Sequence, residues 1–173
     1  MAVKLADLLG VEASISRLCE DSAWLLCHIP GKPVAKGRPL ARRRQGQIRL
    51  LTPEATERGE AWVRQCWLDQ VGHSLMTGAL EVRLQICSSV PKSYAAKLQV
   101  LAAQDEVRPL TKPDLDNVCK LALDALNGIA WLDDAQVVRV VIDKRYALPS
   151  AGPALWIAVR PWAKASTLKG WLD

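Results

Sequence analysis

Five carboxylates and two lysines fall in the 23 residues from Lys112 to Asp134, inside a chain whose net charge is +5. Carboxylates at that density repel one another and are costly to desolvate, so a fold that gathers them has to supply a cation. The run Lys112-Pro113-Asp114-Leu115-Asp116-Asn117-Val118-Cys119-Lys120 carries the centre of the motif, and Asp133-Asp134 follows it. Leu115, Val118, Cys119, Ala122 and Leu126 mark the buried side of a helix, with Asp114 as its cap. Asp116 and Lys120 are four apart and so share one face of that helix near its start. Asp133-Asp134 lies in the short connection to the next strand. A helix start and the entrance to a neighbouring strand can meet, so Asp114, Asp116 and one of Asp133 or Asp134 are expected to share a pocket.

Three hard carboxylate ligands suit Mg²⁺ or Mn²⁺, ions that keep part of their water and bridge to phosphate. Such an ion activates a bound water and neutralises charge on a reacting phosphate, and Lys120 would then stabilise the transition state or orient the water. The plainer readings are a helix cap at Asp114, an exposed Asp116–Lys120 pair worth about 0.3–0.5 kcal/mol, and a turn at Asp133-Asp134. All of them occurring together in a basic chain favours the metal reading. Asp124 is expected to be structural or solvated, and Lys112 to be a further basic contact or a solvated side chain. A calcium loop from Asp114 would need Gly at its sixth position and Glu at its twelfth, where Cys119 and Ala125 stand. No strand precedes the Asp-x-Asp as a phosphatase nucleophile requires, and no Gly-rich phosphate loop of Walker type exists.

A pI near 9.1 points to a polyanionic partner. The surplus has an address: Lys32, Lys36, Arg38, Arg42, Arg43, Arg44 and Arg49 fall in one stretch without a single acid. Arg binds phosphate oxygens bidentately, and Pro33, Gly37 and Pro39 forbid a helix there, so a phosphate-contacting loop is expected. Ile48 to Leu51 would close it as a hairpin. Five cysteines without Cys-x-x-Cys spacing, and two distant histidines, indicate neither a disulfide framework nor a zinc site. They read as buried thiols in a reducing compartment. No stretch approaches a membrane span and no signal peptide is visible, so a soluble intracellular protein is expected.

The chain length, 173 residues, suits one domain. Residues 1–22 read as an amphipathic helical extension. Trp24 to Ile29 reads as a strand ended by Pro30-Gly31. Thr52-Pro53-Glu54 starts a helix with Thr52 as cap, carrying the stripe Ala55, Trp62, Val63, Cys66, Trp67 and Val71, and Gly72 can end it. Leu80 to Cys87 alternates strictly and predicts a strand with one buried face. Ser93 can cap a helix to about Gln104, and Val137 to Ile142 and Leu155 to Val159 predict further strands. Three to five strands mixed with three or four helices indicate an α/β or mixed α+β domain, a small mixed sheet flanked by helices.

Three motifs together, Lys112-Pro-Asp-Leu-Asp-Asn-Val-Cys-Lys120, Leu123-Asp-Ala-Leu-Asn-Gly128 and Trp131-Leu-Asp-Asp-Ala-Gln-Val-Val138, resemble the signature of the RusA-type Holliday junction resolvases. Gly31-Lys-Pro-Val-Ala-Lys-Gly-Arg-Pro39 and Pro91-Lys-Ser-Tyr94 are similar to that family's N-terminal half. The resemblance implies a RusA-like domain over residues 23–163, followed by a C-terminal tail at 164–173. It implies a homodimeric endodeoxyribonuclease that binds four-way DNA junctions and cuts two opposed strands with Mg²⁺ or Mn²⁺, leaving 5′-phosphate ends. Its catalytic acids and metal ligands fall on Asp114, Asp116 and Asp134, its lysine on Lys120, and its basic surface on Lys32, Lys36, Arg38, Arg42, Arg43 and Arg44. It also implies a role in recombination and repair, in the cytoplasm and at the nucleoid when bound to DNA. Two rivals stand beside it: a flap or fork nuclease of the same fold, and a non-catalytic junction-binding protein whose Asp cluster is structural.

Overall fold

The computed structural model describes residues 24–44, 47–148 and 150–162. The expected helical extension at 1–22 and tail at 164–173 lie outside the described residues. In chain order the elements are strands β1 (Leu25–Pro30), β2 (Leu40–Arg44) and β3 (Gln47–Leu51), helix α1 (Glu54–Gln70), β4 (Leu80–Ser88), α2 (Ala96–Ala103), α3 (Leu115–Leu126), a 3-10 turn (Asp134–Gln136), β5 (Val137–Tyr146) and β6 (Ala154–Pro161). The mixed α+β class holds, with the basic hairpin raising the strand number above the expected range.

Four strands form one sheet in the order β1-β6-β4-β5, and β2 and β3 pair only with each other. β4 and β5 are parallel, with Leu84 opposite Ile142, whereas the β1–β6 and β4–β6 pairs are antiparallel. A parallel neighbour cannot be reached by a hairpin, so the chain between β4 and β5 must cross back over the sheet. α3 is the last part of that crossover. It packs with α1 on one face, where Cys27, Val63, Trp67, Val82, Leu84, Val118, Leu121, Ala125, Leu126, Trp131 and Ile157 make the core. Gly59 permits the close approach: a Cβ there would stand 3.1 Å from both Leu121 Cδ1 and Val34 Cγ1.

Local signals explain most boundaries. α1 ends as Gly72 takes φ +86, with the Val71 and Gly72 amides donating to the Trp67 carbonyl at 2.8 and 3.2 Å. Its start differs from expectation: Pro53 is the cap, no side chain caps the helix, and the Pro53 carbonyl accepts from the Thr56 amide at 2.9 Å. Trp62 is exposed, its Nε1 donating to the Pro30 carbonyl at 3.0 Å, so only part of the expected stripe is core. α2 starts at Ala96, later than a Ser93 cap would place it.

β4 departs most from its sequence reading. Its alternation predicts one buried face, but it is a central strand buried on both, with Glu81 only 1% exposed. Glu81 is tolerated because three arginines meet it: Arg83 from its own strand at 3.3 Å, Arg139 from β5 at 3.5 Å and Arg160 from β6 at 2.8 Å. The Arg83 and Arg160 guanidiniums also stack on the Trp24 ring, 4.7 and 4.4 Å from its centroid. Burial alone would push the Glu81 carboxyl up, but the hydrogen bonds and charges of Arg160, with Arg139 and Arg83, outweigh it and hold the carboxyl below its ordinary value.

The described cysteines are free thiols, and Cys119 is half-buried. Cys27, Cys66 and Cys87 are buried free thiols, with Cys27 pushed up to about 12 by burial and the nearby Cys66, and Cys87 to about 11 mainly by burial.

Replacing Glu81 by Gln removes the acceptor shared by three strands and is expected to cost about 3–5 kcal/mol of stability. Since the folded carboxyl titrates below its unfolded value, its contribution is complete above that unfolded value and is lost as pH falls through the folded one. The gap between wild type and E81Q in urea denaturation should therefore be widest at neutral pH and narrow under acid conditions.

Candidate active site

α3 begins where the sequence places it. Asp114 occupies the cap position in extended conformation, but its carboxylate makes no capping hydrogen bond. Asp116 and Lys120, both exposed, form no ion pair with one another. The plain readings of these residues as a cap and a surface pair are thus not realised, and the side chains of Asp114, Asp116 and Lys120 remain available to a ligand. The segment leading to Asp114 is held in place by Lys144 of β5, whose Nζ donates to the carbonyls of Thr111 at 2.8 Å and Pro113 at 3.2 Å.

Asp133 and Asp134 divide their duties. Asp133 caps the 3-10 turn, accepting from the Ala135 amide at 2.8 Å, and Gln136 completes a capping box. Gln136 does more: its Oε1 accepts from the Leu132 amide at 2.9 Å, and its Nε2 donates to the carbonyls of Met76 and Gly78, each at 3.1 Å. Asp134 is left without such a task. Sequence reasoning missed both Lys144 and Gln136; the Asp-x-x-Gln spacing of the capping box was the available signal for Gln136.

The three acids do not converge within the chain. α3 runs antiparallel to β5, so its start lies near Lys144 and its end, through the buried Trp131, leads to the entrance of β5. Its 12 residues span about 18 Å. Asp114 and Asp116 therefore stand at one end of the helix and Asp134 beyond the other. Among the described residues no group of three or more His, Cys, Asp or Glu is arranged to hold a metal ion. The expectation of one pocket fails because a helix that packs antiparallel to the following strand puts its start far from that strand's entrance.

The basic stretch is split in the same way. Residues 40–44 form β2 and not loop, so Arg42, Arg43 and Arg44 sit on a two-stranded ribbon paired with β3. The part before it is strapped to the helices. The Lys36 amide donates to the Asn117 carbonyl at 2.9 Å, and the Gly37 amide to the buried Thr56 Oγ1 at 2.9 Å. The Lys36 ammonium turns inward, pairing with Glu60 of α1 at 3.2 Å and with Asp124 of α3. Burial would push that ammonium down, but hydrogen bonds to Asp124 and Glu60 raise it above its ordinary value. Asp124 is thus structural, as expected. The strap leaves an open groove of about 340 Å³ in which Lys32 and Lys112 meet Asp114 and Asn117, from segments some 80 residues apart.

A family model for the RusA endodeoxyribonucleases matches residues 30–159. The chain belongs to that family. YqaN, an uncharacterized protein of Bacillus subtilis (strain 168), is 32% identical over 119 residues, covering 68% of this chain and 84% of its own length. Membership makes this RusA-family chain a nuclease whose partner is DNA, and the family's dependence on a divalent metal directs attention to the free carboxylates. No helix among the described residues is long and apolar enough to cross a membrane.

The donor chemistry fits such an ion. Asp114, Asp116 and Asp134 offer hard oxygens that no group among the described residues consumes, and Mg²⁺ is commonly held by one or two carboxylates together with water and substrate phosphate.

Lys36→Met should separate strapping from DNA contact. It removes a cation held by two acids and is expected to cost about 1–2 kcal/mol in thermal or urea denaturation. Lys32→Ala, at an exposed position, should leave stability within about 0.5 kcal/mol.

Proposed function

We propose that this protein is a Mg²⁺-dependent, structure-selective DNA endonuclease that resolves four-way junctions by paired nicks on opposed strands. The observation that carries the reading is that Asp114, Asp116 and Lys120, at the start of α3, have no partner among the described residues and stand by a groove lined by Lys32 and Lys112. Lys36, Glu60 and Asp124, by contrast, are charges beside α3 that pair with one another. Pure DNA binding gains nothing from carboxylates facing phosphate. Hydrolysis through a bound cation does.

In this reading Asp114 and Asp116 at the start of α3 would hold the ion, with Mn²⁺ as a substitute, and Asp134, beyond the other end of α3, would reach it only from a second copy of this chain. When bound, the ion supplies an activated water and neutralises charge on the scissile phosphate. Lys120, one helical turn beyond Asp116, presents its ammonium to the phosphate oxygens as their charge grows in the transition state. Water attacks phosphorus, the bond to the 3′ oxygen breaks, and a 5′-phosphate and a 3′-hydroxyl remain. Lys32 and Arg38, with Arg42, Arg43 and Arg44 on the ribbon, grip the backbone and carry no base reading. Two symmetric cuts call for a homodimer with two sites. The biological setting that fits is recombination and repair at the nucleoid.

An end-labelled synthetic four-way junction tests this directly. With Mg²⁺ the wild type should place paired nicks on opposed strands and leave a linear duplex intact. Asp116→Asn should slow nicking by about 10² to 10³-fold while still binding the junction. Preference for a flap or fork over the junction would make it a branch nuclease of another kind, and binding without any nick would defeat the catalytic reading. Because the grip rests on phosphates, affinity should fall steeply with salt, and each ribbon arginine replaced by Ala should lower the log–log salt slope by about 1.

A further inference from the structure

The loop that leads into α3 presents Leu110, which is 95% exposed, more than any other large apolar side chain among the described residues. Single exposed apolar residues are ordinary on a protein surface. The setting of this one is not. Its neighbour Pro109 is buried, and so is Pro113 at the far side of the loop. Arg108 pairs with Asp105 at 2.7 Å and donates to the Lys144 carbonyl at 3.2 Å. The Lys144 ammonium in turn donates to the Thr111 and Pro113 carbonyls at 2.8 and 3.2 Å. The backbone is thus stitched to β5 on both sides of Leu110, and a leucine that gains nothing from folding is held out in water.

Leu110 stands four residues before Asp114, so their Cα atoms are at most about 14 Å apart. With base pairs spaced at about 3.4 Å, that reach is about four steps of duplex. Lys112, between the two, lines the groove with Lys32 and Asp114. Lysine is depleted at the core of contacts between proteins, so an apolar side chain set among lysines fits a polyanion with an apolar interior better than a protein. DNA supplies both kinds of contact: phosphates for Lys112 and Lys32, and base-pair faces for Leu110.

Phosphate contacts fix position and are much the same on a duplex and on the arm of a junction. A base-pair face is different. Within a duplex it is stacked, and an apolar wedge has to open the step before it can enter. Where strands part at a branch the stack is already interrupted, so the same wedge enters at little cost. We propose that Leu110 is the branch-selecting residue: its side chain packs against the base-pair face exposed where the strands of a junction part, while Lys32 and Lys112 hold the phosphates and Asp114 stands at the strand to be cut. This rests on the nuclease reading of the start of α3. Leu110 takes no part in hydrolysis; it decides which DNA is held for it.

Base opening on binding tests it. Four-way junctions carry 2-aminopurine at one of the four positions nearest the branch and are bound, without cleavage, by Asp116→Asn protein. The same protein carrying Leu110→Ser is compared. 2-Aminopurine brightens when it loses its stacking partner, so fluorescence should rise at one position at least, and Leu110→Ser should abolish the rise. Junction affinity should fall about tenfold in the serine variant, with duplex affinity held within about twofold. Leu110→Met, of similar volume, should restore both signals. Since the side chain is almost wholly exposed, Leu110→Ser should leave thermal denaturation unchanged, which separates loss of the wedge from loss of the fold.

No rise at any of these positions, or a rise that survives Leu110→Ser, overturns the proposal. So does a change in sedimentation caused by Leu110→Ser without DNA, which would make Leu110 a contact between protein chains. A wild type that binds the junction and never nicks it defeats the nuclease reading alone, since fluorescence and affinity still decide whether Leu110 enters the branch. A protein that does not bind the junction loses both.

Discussion

The parallel pairing of β4 with β5 is the constraint from which the rest of the molecule follows. It forbids a tight turn between the strands and forces a crossover, and α3 is the part of that crossover that returns over the sheet. The helix must then run against β5, with its two ends above the two ends of the strand. Lys144 fastens the start of α3 through the Thr111 and Pro113 carbonyls, and Gln136 ties the turn that leads into β5 to the Met76 and Gly78 carbonyls. Each fastening sits next to an acid that has no other employment. Asp114 follows Pro113 directly, and Asp134 opens the turn that Gln136 closes.

The fold spends its charges in two ways, and the difference separates scaffold from site. Glu81 is buried and answered by arginines from three strands, so it locks the register of β4, β5 and β6 at one point. Lys36 is answered by Glu60 and Asp124, so it ties the chain after β1 to both α1 and α3. Charges placed like this are costly to desolvate and are kept by their partners. Asp114, Asp116, Lys120 and Asp134 are the contrary case: the first three are exposed and Asp134 half-buried, and among the described residues none is paired with an opposite charge. A side chain that folding does not use is free to be used by DNA or an ion.

Much of this could be read before the structure was in hand, and the failures have physical reasons. α3 was legible from its apolar spacing and from Pro113-Asp114, because local signals fix a helix start. The ends of α1 and of β1 were legible from Gly72 and Gly31 for the same reason. The burial of β4 on both faces was not, since its Glu81 is matched by Arg139 and Arg160 on strands that lie far along the chain. Lys36 read as a phosphate contact because nothing local reveals that Glu60 and Asp124 would close on it. The site residues were named without the direction of α3 relative to β5, and direction decides whether Asp134 reaches Asp116. Periodicity reports which face of a helix is buried, never which way it runs across a sheet.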